Sequence, residues 1–85
     1  MTGPHSFKLL YVQWEDALSG GANWKTRTEI EELKPAKMVS IGWLVAAGET
    51  YITLVSHMCQ PDDQFGGEIC IPRAWITSEK EIILD

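Results

Sequence analysis

The segment from Lys37 to Ala47 (KMVSIGWLVAA) most constrains what this chain can become. Its residues alternate in a two-residue period that suits a strand. Val39, Ile41, Trp43 and Val45 fall on one face; Met38, Ser40, Gly42 and Leu44 fall on the other. Neither face is strongly polar, so this reads as a central strand covered on both sides for part of its length. Trp43 is expected in the core. Gly42 in mid-strand predicts a bulge, a sharp bend or a close packing neighbour, because glycine in a strand leaves room where another backbone approaches.

The flanking segments are short and carry the same period. Phe7 to Trp14 (FKLLYVQW) reads as a first strand. Ala47-Gly48-Glu49 reads as a hairpin connection into Thr50 to Met58, with Tyr51, Thr53, Val55 and His57 on one face and Ile52, Leu54, Ser56 and Met58 on the other. Gln60 to Gly67 is a polar loop, Glu68 to Ile71 a short strand, and Pro72-Arg73-Ala74 a turn with the character of tight helix. Trp75 to Leu84 contains the last strand. Between the first two strands, Ser19-Gly20-Gly21 marks a loop running to Lys25, and Thr28 to Leu33 (TEIEEL) reads as a short helix. Thr28 and Glu31 fit a capping box, Pro35 closes the segment, and Ile30 and Leu33 form an apolar side expected to dock on the sheet.

This pattern predicts a mainly β fold with five strands and one short helix. The leading architecture is a bent antiparallel barrel of the SH3-like kind; the alternative is a small open sheet with the helix packed on it. The chain has 85 residues, so one domain is expected, over residues 7–85, preceded by a polar, flexible tail over residues 1–6. A chain this short builds only a thin core, which favours a homo-oligomer.

The net charge is −5, with seven Lys and Arg against twelve Asp and Glu. Such a surface repels duplex nucleic acid and anionic membranes at long range. No apolar run is long enough to span a bilayer and no signal pattern opens the chain, so a cytoplasmic setting is expected. The two cysteines, Cys59 and Cys70, read as reduced thiols. His57, Cys59 and Cys70 do not have the spacing of a zinc knuckle, and no metal or other cofactor is expected. No phosphate loop or nucleophile motif occurs, and adjacent carboxylates such as Asp62-Asp63 read as solvated loop charge. No catalytic residues are assigned.

The tryptophans carry the functional expectation. Trp24 stands in the polar run Gly20-Gly21-Ala22-Asn23-Trp24-Lys25 without an apolar period around it. It either folds back as a lid over the core or stacks on a ligand or partner. A ligand site is expected from Trp14, Trp24, Lys25, Arg27, His57 and Arg73, with indoles stacking and cations meeting phosphate or carboxylate.

The runs Tyr11-Val12-Gln13-Trp14-Glu15-Asp16, Lys34-Pro35 and Val39-Ser40-Ile41-Gly42-Trp43-Leu44-Val45, with His57 and Ile71-Pro72-Arg73-Ala74-Trp75-Ile76, resemble a pattern in short bacteriophage-encoded proteins. The resemblance covers Leu9 to Leu84. It carries no activity or catalytic residue across; it implies a setting in the infected bacterial host. There the first expectation is a non-catalytic protein that counters host defence by sequestering a nucleotide-type, phosphate-bearing immune signal. The alternatives are a protein–protein inhibitor or adaptor of a host enzyme, and a nucleotide-degrading enzyme.

Overall fold

A computed structural model describes residues 7–84. The expected tail over residues 1–6 lies outside the described residues. The chain runs β1 (Leu9–Asp16), α1 (Arg27–Glu31), β2 (Ala36–Ala47), β3 (Tyr51–Val55), β4 (His57–Cys59), β5 (Gln64–Gly66), β6 (Ile69–Pro72) and β7 (Ile76–Ile82). Two 3-10 turns, Gln60–Asp62 and Arg73–Trp75, join β4 to β5 and β6 to β7.

Five strands form one antiparallel sheet in the order β6-β3-β2-β1-β7. Although β6 and β7 are consecutive among its strands, they occupy opposite edges and do not pair. The sheet is therefore bent but open, and the closed barrel is not formed. No helix among the described residues is long and apolar enough to cross a membrane.

Register divides the sheet into two faces. Leu10 opposes Gly42, Val12 opposes Ser40 and Trp14 opposes Met38 on one face; Leu9 opposes Trp43, Tyr11 opposes Ile41 and Gln13 opposes Val39 on the other. The first face holds the core. Leu10, Val12, Trp14, Ile52, Leu54 and Ile71 form one buried cluster, with Leu44, Ile69 and Ile76 packed against it. This face is the inside of the bend, where side chains from β1, β3 and β6 converge.

Gly42 makes the bend sterically feasible. A Cβ built there would lie 2.8 Å from the Val55 carbonyl oxygen and 3.1 Å from Leu54 Cβ. Real Cβ atoms do not approach backbone oxygen that closely, so the close neighbour expected from sequence is the β3 backbone itself. The β2–β3 register then slips between Leu44 and Ala46, a bulge that sharpens the local twist.

Five expectations are corrected. The segment from Thr50 to Met58 is not one strand. It breaks at Ser56, and His57–Cys59 leaves the main sheet to pair with Gln64–Gly66 in a separate two-stranded ribbon. Gly67 accompanies the break at φ 66°, and any Cβ there would collide with Ser56 Oγ. The polar loop thus hides a strand, because Gln64-Phe65-Gly66 is too short for its period to show.

The helix starts earlier than its capping signal at Thr28 suggests. Thr26 is the N-cap, its hydroxyl oxygen accepting from the Glu29 backbone N–H at 3.2 Å, and the Glu29 carboxylate accepts from the same hydroxyl. Both T-x-x-E registers occur in the sequence, and the fold uses the first. The helix also buries no residue: Ile30 is 52% exposed, so the expected docking on the sheet does not occur.

Finally, Trp43 is outside the core cluster. It is half-buried on the opposite face, and its Nε1 is the buried side-chain nitrogen among the described residues that lacks a hydrogen-bond partner. The outer face of β2 is not covered either, since Val39 and Ile41 are more than half exposed.

Candidate functional site

The six expected ligand residues occupy different parts of the molecule. Trp14 lies near the end of β1, where the core period turns it inward. It is 6% exposed, and its indole Nε1 donates to Ser40 Oγ at 3.0 Å. Its ring lies nearly parallel to Trp75, with centroids 6.4 Å apart and 12° between planes. Trp14 is thus a core residue whose polar atom is satisfied, and the 3-10 turn Arg73–Trp75 supplies the ring that covers it.

Arg73 begins that turn. Its Nε donates to the Gly48 carbonyl at 2.8 Å, and its backbone N–H donates to the Thr50 carbonyl at 2.8 Å. It fastens the β2–β3 hairpin to the β6–β7 crossover and borders an open hollow with Ile76, Thr77, Ser78 and Glu79.

His57 is exposed on the ribbon opposite Gly66. It borders another open hollow with Met58, Cys59, Gln64 and Phe65. Seven residues of mostly extended chain separate Thr50, where Arg73 is tied, from His57; that is roughly 23 Å at strand rise. His57 and Arg73 therefore do not converge. The ribbon sits toward the start of β1, where Phe65 meets Phe7 edge-on at 5.9 Å between centroids. Trp14 is five residues along β1 from Leu9, roughly 17 Å away by the same rise.

Trp24, Lys25 and Arg27 remain together because they are near neighbours in sequence. Trp24 is 102% exposed, which removes the lid reading. Of the other tryptophans, Trp14 is buried, Trp43 half-buried and Trp75 stacked on Trp14. The local chain explains the presentation of Trp24. Gly21 sits at φ 83°, a conformation glycine adopts without steric cost, and Ala22, Asn23 and Trp24 after it are exposed. Lys25 Nζ donates to the Gly20 carbonyl at 3.1 Å, closing the base of the loop. Arg27 opens α1 and is exposed. The loop therefore ends in an indole flanked by one tethered and one free cationic side chain.

No three His, Cys, Asp or Glu side chains among the described residues gather as metal ligands. Cys70 lies on β6 opposite Thr53, away from the ribbon that carries Cys59. The Cys59 thiol donates to Asp62 Oδ2 at 3.4 Å across its 3-10 turn. Both cysteines are free and exposed.

The sequence singled out the Trp24 loop and missed the outer face of the sheet. There Tyr11, Val39 and Ile41 form an apolar patch across β1 and β2. The alternation signal is present in the sequence, but it does not distinguish a face covered within the chain from one left open. Comparison with known proteins gave no match among family models, curated proteins or solved structures.

Proposed function

We propose that this chain is a non-catalytic binding protein that engages a partner protein by inserting Trp24 into an apolar socket. The full exposure of Trp24 carries this reading. A large aromatic side chain offers roughly 150–250 Å² for burial. Covering that area at about 25 cal/mol per Å² supplies several kcal/mol before ordering costs, enough for an interface hot spot. A projecting indole suits a concave partner better than a small ligand, which needs concave walls around itself. Lys25 and Arg27 put positive charge beside the indole on a chain of net charge −5. The matching socket is apolar with an acidic rim. In the infected host implied by the phage resemblance, such a protein acts as an inhibitor or adaptor of a host enzyme.

One observation favours sequestration of a nucleotide as a second reading. Trp24, Lys25 and Arg27 place a stacking ring beside two cations, the chemistry that meets a base and its phosphates. A second chain would have to close over that ligand, since His57 and Arg73 lie elsewhere.

Native mass spectrometry of the protein purified from bacterial cells tests both readings. A stoichiometric host protein retained by the wild type and lost from Trp24→Ala is the expected result. A phosphate-bearing small molecule released on denaturation, and lost in the same variant, selects sequestration. A partner retained equally by wild type and Trp24→Ala removes Trp24 from the contact.

A further inference from the structure

We propose that the outer face of the β7-β1-β2 layer is the contact between two copies of this chain. Tyr11, Val39 and Ile41 form its centre, and Gln13 and Lys80 share the same face by register. Val39 is 55% and Ile41 56% exposed, although both lie in a paired strand flanked by β1. On the inner face of the same strands Leu10, Val12 and Trp14 are buried in the core cluster. The outer face is covered from within at Val55, opposite Trp43, and left open at Val39 and Ile41.

Area, on a face free of the chain's excess acid, points to a second copy as the occupant. Along these strands the outer face carries Lys37, Lys80 and Glu15, or one net positive charge, on a chain whose total is −5. Glu79 and Glu81 of β7 fall on the other face. Two copies that repel at long range can thus meet where neither presents excess acid. Three strands at about 4.8 Å spacing and eight residues at about 3.3 Å rise give a projected face of roughly 14 × 26 Å. Side-chain relief raises its accessible area toward the ~800 Å² per partner of a standard stable interface. A nearly flat apolar patch is also self-complementary, as a two-fold contact requires, and two such sheets pack face to face about 10 Å apart. Among the described residues seven hydrophobic side chains are buried, a small number for independent stability, and each copy would supply a layer against the other.

Sedimentation velocity of the full chain over a concentration series is the test, with the double variant Val39→Lys/Ile41→Lys as the probe. The wild type should sediment as a dimer. The variant should be monomeric, its dissociation constant raised by more than about 100-fold, because two lysines per copy would be desolvated at the centre of the contact. Both positions are exposed in the single chain, so circular dichroism should show an unchanged β signature. Gln13→Lys, on the same face, serves as a second probe if the double variant is misfolded, and it should weaken the dimer in the same direction. A wild type that is monomeric throughout, or a dimer that survives both substitutions, overturns the proposal. Trp24→Ala should leave the dimer intact, which separates this contact from the one proposed for the loop.

Discussion

At the residue scale, two positions on the inner face govern how it packs, and Gly42 decides whether the bend can form. Gly42 has no Cβ, and the Val55 carbonyl occupies the space one would need. Gly42→Ala should therefore destabilise the chain by about 1–3 kcal/mol, the usual cost of overpacking, read as a lower denaturation midpoint with an unchanged slope. Ser40 acts differently. Its hydroxyl is the acceptor for Trp14 Nε1, inside a cluster that is otherwise apolar. Ser40→Ala leaves that indole N–H without its acceptor and should cost about 1–3 kcal/mol, measured by chemical denaturation. Trp24 is the contrast: an aromatic of the same kind as Trp14, but fully exposed. Trp24→Ala should change stability by no more than about 0.5 kcal/mol in the same measurement. A large loss would show that the residue packs within the fold and would remove its proposed role.

At the element scale, the crossover from β6 to β7 carries the chain from one edge of the open sheet to the other in a single 3-10 turn. The side chains of Arg73 and Trp75 anchor it, one to the Gly48 carbonyl and the other to the ring of Trp14, beside the backbone bond from Arg73 to the Thr50 carbonyl. Arg73→Ala should lower stability by about 1–2 kcal/mol through loss of a hydrogen bond from a charged donor, measured by thermal unfolding. A variant of unchanged stability would show that this bond does not hold the hairpin to the crossover. The same element was expected from Pro72-Arg73-Ala74, since proline sets the backbone entering the turn. The break at Ser56 was not expected. Thr50 to Met58 keeps a regular alternation through the break, and periodicity reports which residues could share a face without reporting which strand they pair with.

At the molecular scale, the fold leaves much of its apolar surface in water. Val39, Ile41 and Trp24 are more than half exposed, beside seven buried hydrophobics among the described residues. If the outer face joins two copies, stability becomes linked to concentration by mass action. The melting temperature of the wild type should then rise with protein concentration, while that of Val39→Lys/Ile41→Lys should not. A wild-type melting temperature independent of concentration would count against the linkage. A two-fold dimer would also present two Trp24 loops, so binding to an oligomeric partner would gain from the second contact being intramolecular.

The sequence by itself determined the mainly β class, the location of most strands, the alternation that fills the inner face and the glycine around which the sheet bends. These are local consequences of side-chain period and steric size, and both are written residue by residue. The Trp24 loop was also legible, because an aromatic residue without an apolar period is conspicuous among glycines and polar residues. Tertiary structure alone decided that the sheet stays open, that α1 does not dock and that His57 and Arg73 are held apart. It also decided that Trp14 is core and that Trp43 faces outward. Each depends on distances between segments far apart in the chain. Composition specifies that rings and cations exist; only the strand pairing and the bend determine which of them meet.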